Sequence, residues 1–261
     1  MAPTARAASS GPWLVSMLLL LPCLAGACGT ASPPGPAPDL PATVRPRVLL
    51  VVSLLPAYTA DLVEKLTATE AFDAVDVFEA TAGAPTLASL EAHDSVLVVR
   101  DLAFSDRVGL GNVLADYLDA GGGIVLTYFA FAADTHPSGR FEADGYQVID
   151  NGFAGGGDGP LGMTPLEDHP ILQGVTSFDG GTSSYRPLGA TVAAGATVVA
   201  RWNDAAGTPL VATRTVGGRR RCDLGFFPPT SDTGRADFVQ ASTDAVRIVA
   251  NALRWVAGDL P

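Results

Sequence analysis

The sequence is poor in cysteine. Its cysteines are Cys23, Cys28 and Cys222, and the first two lie in an N-terminal leader, which leaves one for the rest of the chain. A single cysteine excludes a disulfide framework and a cysteine-rich metal site. Cys222 stands in an apolar stretch without a neighbouring histidine, and we interpret it as a buried, unreactive thiol.

Positive charge is also scarce. The chain has 16 lysines and arginines against 27 aspartates and glutamates, a formal net charge of −11. Nucleic acid is excluded as a partner, because no excess of cations is available to neutralise phosphates. Apolar residues make up 48% of the 261 residues, which is enough for one domain with a core behind a leader.

The leader has the features of an export signal. Arg6 provides a positive start without acids, residues 13–21 (WLVSMLLLL) are apolar, and small residues precede Cys28. The run that ends in Cys28 resembles the lipoprotein box of bacteria, although Ala25 stands where leucine is usual. The resemblance implies a signal peptide over residues 1–27 and lipidation of Cys28, which would anchor the protein in the membrane of the cell envelope. Ordinary signal cleavage without lipidation is the alternative.

Residues 28–46 are rich in proline, alanine, serine and glycine. Such a segment cannot bury a core, and we interpret it as an extended tether. It joins Cys28 to a domain that is predicted to occupy residues 47–261.

The domain begins with strands that alternate with helices. Apolar runs and alternating patterns predict strands over residues 47–55, 72–79, 94–100 and 124–131, and helical spacing predicts helices over residues 58–69, 86–92 and 108–120. We expect Thr59 to cap the first helix and Gly121-Gly122-Gly123 to end the third. This alternation is typical of a doubly wound parallel sheet.

The second half departs from this rhythm. Residues 132–165 are polar, so we expect an irregular excursion there. Residues 196–203, 209–216 and 219–227 are predicted to form an antiparallel meander, and residues 237–256 the last helix. Because ligands of such sheets bind where the strands end, we expect a site around residues 128–134.

Three motifs carry a family resemblance: LADYLDAGGGIVL at residues 114–126, DHPILQGV at residues 168–175 and NALRW at residues 251–255. With them the domain resembles the class I glutamine-amidotransferase-like proteins, including the trehalose-utilisation (ThuA-like) group. The resemblance implies a three-layer, flavodoxin-like α/β fold, with a mainly parallel sheet extended by antiparallel strands. Such motifs are informative about fold and poorly informative about activity.

Catalytic members of the amidotransferase group carry a cysteine at a sharp elbow after the central strand and a histidine after a late strand. Here the first place holds Tyr128, Phe129, Ala130 and Phe131, and the stretch around Phe227 has no histidine. A thiolate–imidazole pair is missing at both places. The resemblance therefore implies the scaffold without that activity, and no cofactor is expected.

Other residues are weaker candidates for a site. The catalytic candidates are His169, Asp168 and Asp134, since Asp168 can orient the His169 ring and Asp134 offers a second carboxylate. The alternative is that His169 is a structural turn residue that caps its loop, and His136 a plain loop element. The candidates for ligand binding are Tyr128, Phe131, Asp134, His136 and His169.

Three further groups each allow two interpretations. The acidic residues after the central strand match no calcium loop, so a solvated loop is the default and no metal is predicted; they are Asp134, Glu142, Asp144, Asp150 and Asp158. Arg219-Arg220-Arg221 either protects a sheet edge or pairs with acids, or else contacts anionic lipid or polysaccharide. The aromatic residues near strand ends line a sugar-stacking cleft or belong to the core; they are Tyr128, Phe129, Phe131, Phe141, Tyr146, Phe153, Tyr185 and Trp202.

Three functions are compatible with these features. The first is an envelope-anchored lipoprotein whose non-catalytic domain binds a carbohydrate or an envelope protein. The second is a hydrolase that acts on carbohydrate or amide through Asp168, His169 and a loop carboxylate. The third is an architectural domain without a site. We favour the first, because the nucleophile and its partner histidine are absent where the resemblance would place them.

Overall fold

The computed structural model describes residues 45–133, 135–150, 153–157 and 159–261. The predicted signal peptide, Cys28, most of the tether, Asp134 and Asp158 lie outside the described residues. Among the helices that are described, none has the length and apolar character needed to cross a membrane.

One mixed sheet forms the centre of the domain. In chain order, the strands of the described residues are β1 (Arg47–Ser53), β2 (Ala74–Glu79), β3 (Ser95–Arg100), β4 (Gly123–Thr127), β5 (Ile149–Asp150), β6 (Phe153–Gly155), β7 (Met163–Pro165), β8 (Arg186–Leu188), β9 (Thr191–Val192), β10 (Thr197–Trp202), β11 (Pro209–Val216) and β12 (Arg219–Leu224). Eight of these form the sheet, in the order β2-β1-β3-β4-β12-β11-β10-β7. The first five in that order run parallel and the last three antiparallel, which confirms the predicted fold class.

Helices cover both faces of the sheet and make three layers. Helices α1 (Pro56–Ala68) and α5 (Ala245–Val256) lie on one face, and α2 (Leu87–Glu91), α3 (Arg107–Ala120) and α4 (Arg140–Ala143) lie on the other. Strand β1 shows the alternation that two covered faces require. Leu50 packs in the core beside α1 and α5, whereas its neighbour Leu49 packs in the core beside α3.

Helix α3 has a defined beginning and end. The Asp106 carboxylate accepts a hydrogen bond from the backbone N–H of Gly109 at 2.8 Å, and the helix ends at Gly121 with a φ of 117°, which confirms the predicted glycine stop. Within the helix, a Cβ added at Gly111 would lie 1.7 Å from the carbonyl oxygen of Ser138. The loop that follows β4 therefore packs directly against α3 at a glycine.

The central strand is shorter than predicted. Strand β4 ends at Thr127, and residues Tyr128–Ala130 form a 3₁₀ turn in place of the expected continuation to Phe131. The hydroxyl of Thr135 donates to the carbonyl oxygens of Phe129 and Ala132, at 3.0 and 2.9 Å. The apolar residues after Thr127 therefore form a buried turn. A short apolar run predicts a buried strand equally well, so the hydropathy pattern does not distinguish the two.

Two helix boundaries also differ from the prediction. Helix α1 begins at Pro56 and follows Leu55, so Thr59 lies inside the helix and does not cap it. Helix α5 begins at Ala245, because the preceding residues are held by the rest of the domain. Gln240 N–H donates to the carbonyl of Asp179 at 3.0 Å, and Asp244 N–H donates to that of Ser177 at 3.0 Å.

The arginine cluster Arg219-Arg220-Arg221 does not protect a sheet edge. Strand β12 lies inside the sheet between β4 and β11, which corrects that interpretation. Arg221 is fully buried and pairs with the buried Asp223 at 3.0 Å, while Arg220 donates to the carbonyl oxygens of Trp255 and Leu260. The other interpretation, an ion pair with an acidic residue, is confirmed for Arg221. Cys222 is buried and free, as predicted, and burial raises the pKa of its thiol.

Candidate functional site

The carboxyl ends of β1, β3, β4 and β12 lie together, because these strands run parallel. We call this side of the sheet the carboxyl edge. The 3₁₀ turn Tyr128–Ala130 follows β4 there, and Phe226 and Phe227 follow β12. Tyr128 N–H donates to the carbonyl of Phe226 at 3.2 Å, which joins the two segments. The predicted site region therefore begins at the carboxyl edge.

Two of the predicted ligand-binding residues, Tyr128 and Phe131, lie in the core. Tyr128 has no exposed surface and Phe131 is 1% exposed. The Tyr128 hydroxyl accepts a hydrogen bond from the Gly155 N–H at 3.1 Å, and burial raises the pKa of Tyr128 to about 12. Both rings are therefore packed inside the domain at the turn after β4, and neither is accessible to a ligand.

Phe129 occupies the turn itself. Its φ and ψ are 13° and −30°, outside the helical region of its neighbours, and its side chain is half-buried. The Phe129 ring meets the rings of Tyr128, Phe227 and Tyr185, with centroid distances of 4.5, 5.2 and 5.7 Å. A phenyl ring thus stands where the family resemblance would place a nucleophile.

The aromatic cluster continues across the carboxyl edge. Phe227 meets Phe238 at 5.1 Å, and Tyr58, at the start of α1, meets Phe238 at 5.1 Å. The packing leaves no room for a water molecule beneath Tyr185, between Phe227 and Phe238. The cluster therefore fills the carboxyl edge on the side of α1 and α5, and among the rings of the cluster Phe129 and Tyr185 keep part of their surface exposed.

Polar groups line this surface. Arg235 and Asp237 form an ion pair, with Arg235 Nη2 2.5 Å from Asp237 Oδ2, and the guanidinium lies 4.9 Å from the centre of the Phe238 ring. The Tyr185 hydroxyl donates to the same Asp237 oxygen at 3.4 Å. The hydrogen bond from Arg235 holds the pKa of Asp237 below its usual range, so this carboxylate stays ionised.

Arg235 and Asp237 were not among the predicted site residues. The spacing of an arginine and an aspartate two residues apart occurs often in solvated loops, so it carried little information by itself. Their position in the chain was a usable signal. They follow the late strand, and the family resemblance places a functional residue after that strand, near Phe227.

His136 is buried beside the start of α3. Its backbone carbonyl accepts a hydrogen bond from Arg107 Nε at 2.9 Å, and its Nε2 lies 3.5 Å from a carboxylate oxygen of Glu142. Neither ring nitrogen has a hydrogen-bond partner among the described residues. The loop of His136 is thus attached to α3, on the opposite face of the sheet from the aromatic cluster. Asp134, two residues earlier, lies outside the described residues.

His169 lies at the other end of the sheet. It precedes the 3₁₀ turn Pro170–Leu172, and its Nδ1 accepts a hydrogen bond from the Ile171 N–H at 3.2 Å. Its ring meets that of Trp255, in the last turn of α5, at 5.1 Å, and the Trp255 ring in turn lies 5.0 Å from the guanidinium of Arg220, where β12 begins.

Asp168 does not orient the His169 ring. Its side chain is exposed, and no described residue bonds to its carboxylate. Burial, with a contribution from Arg220, lowers the pKa of His169 and keeps the ring neutral at pH 7. His169 is separated from Tyr128 by the length of a strand, on the order of 15 Å, so the structure does not bring the two together. This geometry agrees with the alternative of a turn-capping histidine.

The remaining predictions concern metals and aromatics. In the part of the chain that the structure describes, no group of three or more histidine, cysteine, aspartate or glutamate side chains is arranged to hold a metal ion. Phe141, Tyr146 and Trp202 are buried, so they belong to the core rather than to a cleft. Of the predicted aromatic set, Phe129 and Tyr185 are half-buried, and the side chain of Phe153 lies outside the described part of the structure.

Comparisons with known proteins rest on solved structures. No protein-family profile matches the chain, and no curated protein matches it significantly. A ThuA-like protein from Bacteroides uniformis aligns at a TM-score of 0.55 and 14% identity, over 84% of this chain and 95% of that one. A glutamine amidotransferase from Thermotoga maritima aligns at a TM-score of 0.52 and 10% identity, over 81% of this chain and 98% of that one.

A third structure, SMU.1228c, aligns at a TM-score of 0.54 and 9% identity, over 80% of this chain and 99% of that one. At such identities a likeness shows the fold alone. The chain has the α/β fold that ThuA-like proteins share with glutamine amidotransferases, as its three sequence motifs predicted.

Proposed function

We propose that this protein is a non-catalytic binding protein of the cell envelope, anchored through Cys28, which binds carbohydrate at the carboxyl edge of its sheet. The observation that carries the proposal is the placement of Phe129. Its ring stands in the turn after β4 and packs against Phe227, where an active amidotransferase-like site would need a nucleophile.

Aromatic rings beside polar groups favour a carbohydrate. The half-buried rings of Phe129 and Tyr185 provide flat apolar surface, and Asp237 and Arg235 provide an acceptor and donors next to it. A sugar has both an apolar face and a rim of hydroxyl groups, so it matches a surface that combines these two chemistries. The second supporting feature is the export signal, which would place the domain where glycans of the envelope are present.

The proposal is tested by binding of neutral and acidic oligosaccharides to the purified full-length chain, measured by calorimetry and thermal stabilisation. We expect Asp237→Asn to weaken binding at least tenfold, because one charged hydrogen-bond acceptor is worth about 1.5–3 kcal/mol. Asp259→Asn is the matched control, since Asp259 pairs with Arg254 at 2.6 Å beyond the end of α5. Equal affinity of both variants, or no binding by any glycan, would contradict the proposal.

A further inference from the structure

An unpaired arginine lies at the carboxyl edge, on the side of α3. Arg100 is the last residue of β3, and its half-buried guanidinium lies 5.9 Å from the centre of the Phe104 ring. Its Nε is buried without a hydrogen-bond partner, and no aspartate or glutamate of the described residues forms an ion pair with it. The carboxylate of the next residue, Asp101, is exposed and does not bond to it.

This arrangement is unusual among the arginines that the structure describes. Each of the other described arginines that are buried or half-buried bonds to an aspartate or to a backbone carbonyl; these are Arg107, Arg140, Arg186, Arg201, Arg214, Arg220, Arg221 and Arg254. Acids outnumber bases in the chain by 27 to 16, so partners are not in short supply. A buried donor without a partner costs free energy, so an acceptor atom of a ligand that bonds to the Nε of Arg100 would recover that cost.

A second arginine stands close by. Arg107 begins α3, and its Nε is held by the backbone carbonyl of His136 at 2.9 Å, which leaves its terminal nitrogens without a partner in the described ranges. Its charge contributes, after burial, to a lowered pKa of Arg100, as expected for two neighbouring cations. Two guanidinium groups at the carboxyl edge are suited to a carboxylate or a phosphate, which a guanidinium binds through paired hydrogen bonds.

The two arginines adjoin the aromatic surface. Residues of β3 and β4 pair in register, so Arg100 lies opposite the start of the Tyr128–Ala130 turn. Phe129 packs against both cores of the domain, with the arginines on the α3 side and the aromatic cluster on the other. A ligand of more than one sugar unit can span this distance, which is on the order of 10 Å, the thickness of one layer.

We propose that Arg100, assisted by Arg107, binds an oxyanion of the ligand, and that the ligand is an acidic carbohydrate. The identity of the ligand as a carbohydrate rests on the proposed function, whereas the oxyanion site rests on the two arginines alone.

The test compares oligosaccharides of glucuronic acid with those of glucose of equal length. We expect the full-length protein to bind the acidic series at least tenfold more tightly, and Arg100→Gln to abolish this preference. Arg100→Lys keeps the charge but not the paired hydrogen bonds, and is expected to recover part of it. The matched control is Arg219→Gln. Arg219 is exposed and begins β12, at the end of the strand away from the carboxyl edge, so this substitution should leave the preference for acidic oligosaccharides intact.

A second measurement separates failure of this inference from failure of the proposed function. Acetate and inorganic phosphate are titrated while the Nε–H resonance of Arg100 is followed by NMR. Saturable shifts without glycan binding support the oxyanion site and overturn the carbohydrate. Equal binding of both oligosaccharide series, unchanged in Arg100→Gln, overturns the inference and leaves the proposed function intact. Absence of both shifts and glycan binding overturns the two together.

Discussion

The most deeply buried charges of the described residues are Arg221 and Asp223. The Arg221 guanidinium donates to Asp223 and to the carbonyl oxygens of Tyr146 and Ile124, and the second Asp223 oxygen accepts from the N–H groups of Val148 and Ile149. The bonds to Tyr146, Val148 and Ile149 join the segment after α4 to the middle of the sheet. A pair of this kind is costly to break from one side, because the remaining charge stays buried without its counter-charge.

We therefore expect Arg221→Met to lower the free energy of unfolding by about 3–5 kcal/mol. Chemical denaturation followed by circular dichroism measures the effect. Arg219→Met, on the same strand but exposed, is the control and should change stability by less than about 0.5 kcal/mol. Similar losses in the two variants would show that the buried pair has no special role.

A single carboxylate makes stability depend on pH in the acid range. Asp244 accepts hydrogen bonds from the N–H groups of Thr176 and Ser177, at 2.9 and 3.1 Å, and these bonds contribute to lowering its pKa to about 2. Since the folded pKa is depressed, the stabilisation is complete above pH 4 and disappears as the pH falls towards 2.

Asp244→Asn should thus lower stability by about 1 kcal/mol at pH 7, allowing for solvent screening of a half-buried group, and by little at pH 2. Denaturation at several pH values measures this difference. Asp73→Asn, whose exposed carboxylate makes no hydrogen bond within the described part of the chain, is the control. A constant difference between Asp244→Asn and the natural protein from pH 7 to 2 would contradict the assignment.

At the scale of elements, the contact between α3 and the loop after β4 shapes the candidate site. The loop carries His136, whose carbonyl orients Arg107, and it lies against the helix at Gly111. Glycine is required there because any side chain would displace the loop rather than fill a space. The position of Arg107, and with it the proposed oxyanion site, depends on this close approach.

Gly111→Ala is expected to destabilise the domain by about 1–3 kcal/mol, since the added methyl group would lie 1.7 Å from the Ser138 oxygen. Thermal unfolding measures the loss. Gly83→Ala provides the matched control, because nothing lies within 4 Å of a Cβ at that position. If both variants unfold at the same temperature, the loop does not pack on the helix in the way described.

At the scale of the whole molecule, the proposed function requires both the α/β domain and its attachment to the membrane of the cell envelope. The domain has the layers of an amidotransferase-like protein, while the residues that carry the predicted export and anchoring signals lie outside the described ranges. The location is open to a direct experiment. Cys28→Ser should move the protein from the membrane fraction to the soluble fraction after cell lysis, because the Cys28 thiol is the proposed attachment point for lipid.

Fractionation followed by immunoblotting measures this change, and Cys23→Ser is the matched control within the same leader. Release by both substitutions would indicate a general defect in export. Retention of the Cys28→Ser protein in the membrane fraction would rule out anchoring through this residue and would leave the binding function of the domain untouched.

The sequence by itself determined the class of fold. Buried runs such as residues 47–55, and the glycines after α3, predicted strands and a helix end that the structure confirms within a few residues. These signals are local, since hydropathy, periodicity and the conformational freedom of glycine act over a few residues. The three motifs likewise predicted the amidotransferase-like fold that the solved structures share.

The tertiary structure decided the candidate site. His169 and Tyr128 were predicted to share a ligand, but they lie at opposite ends of the sheet, because chain position does not reveal at which end a loop returns. Arg100 and Arg221 each stand near an aspartate in the sequence, yet Arg221 pairs with Asp223 while the Nε of Arg100 has no hydrogen-bond partner among the described residues. Whether a charge is paired depends on contacts between distant segments, and the order of residues alone does not contain them.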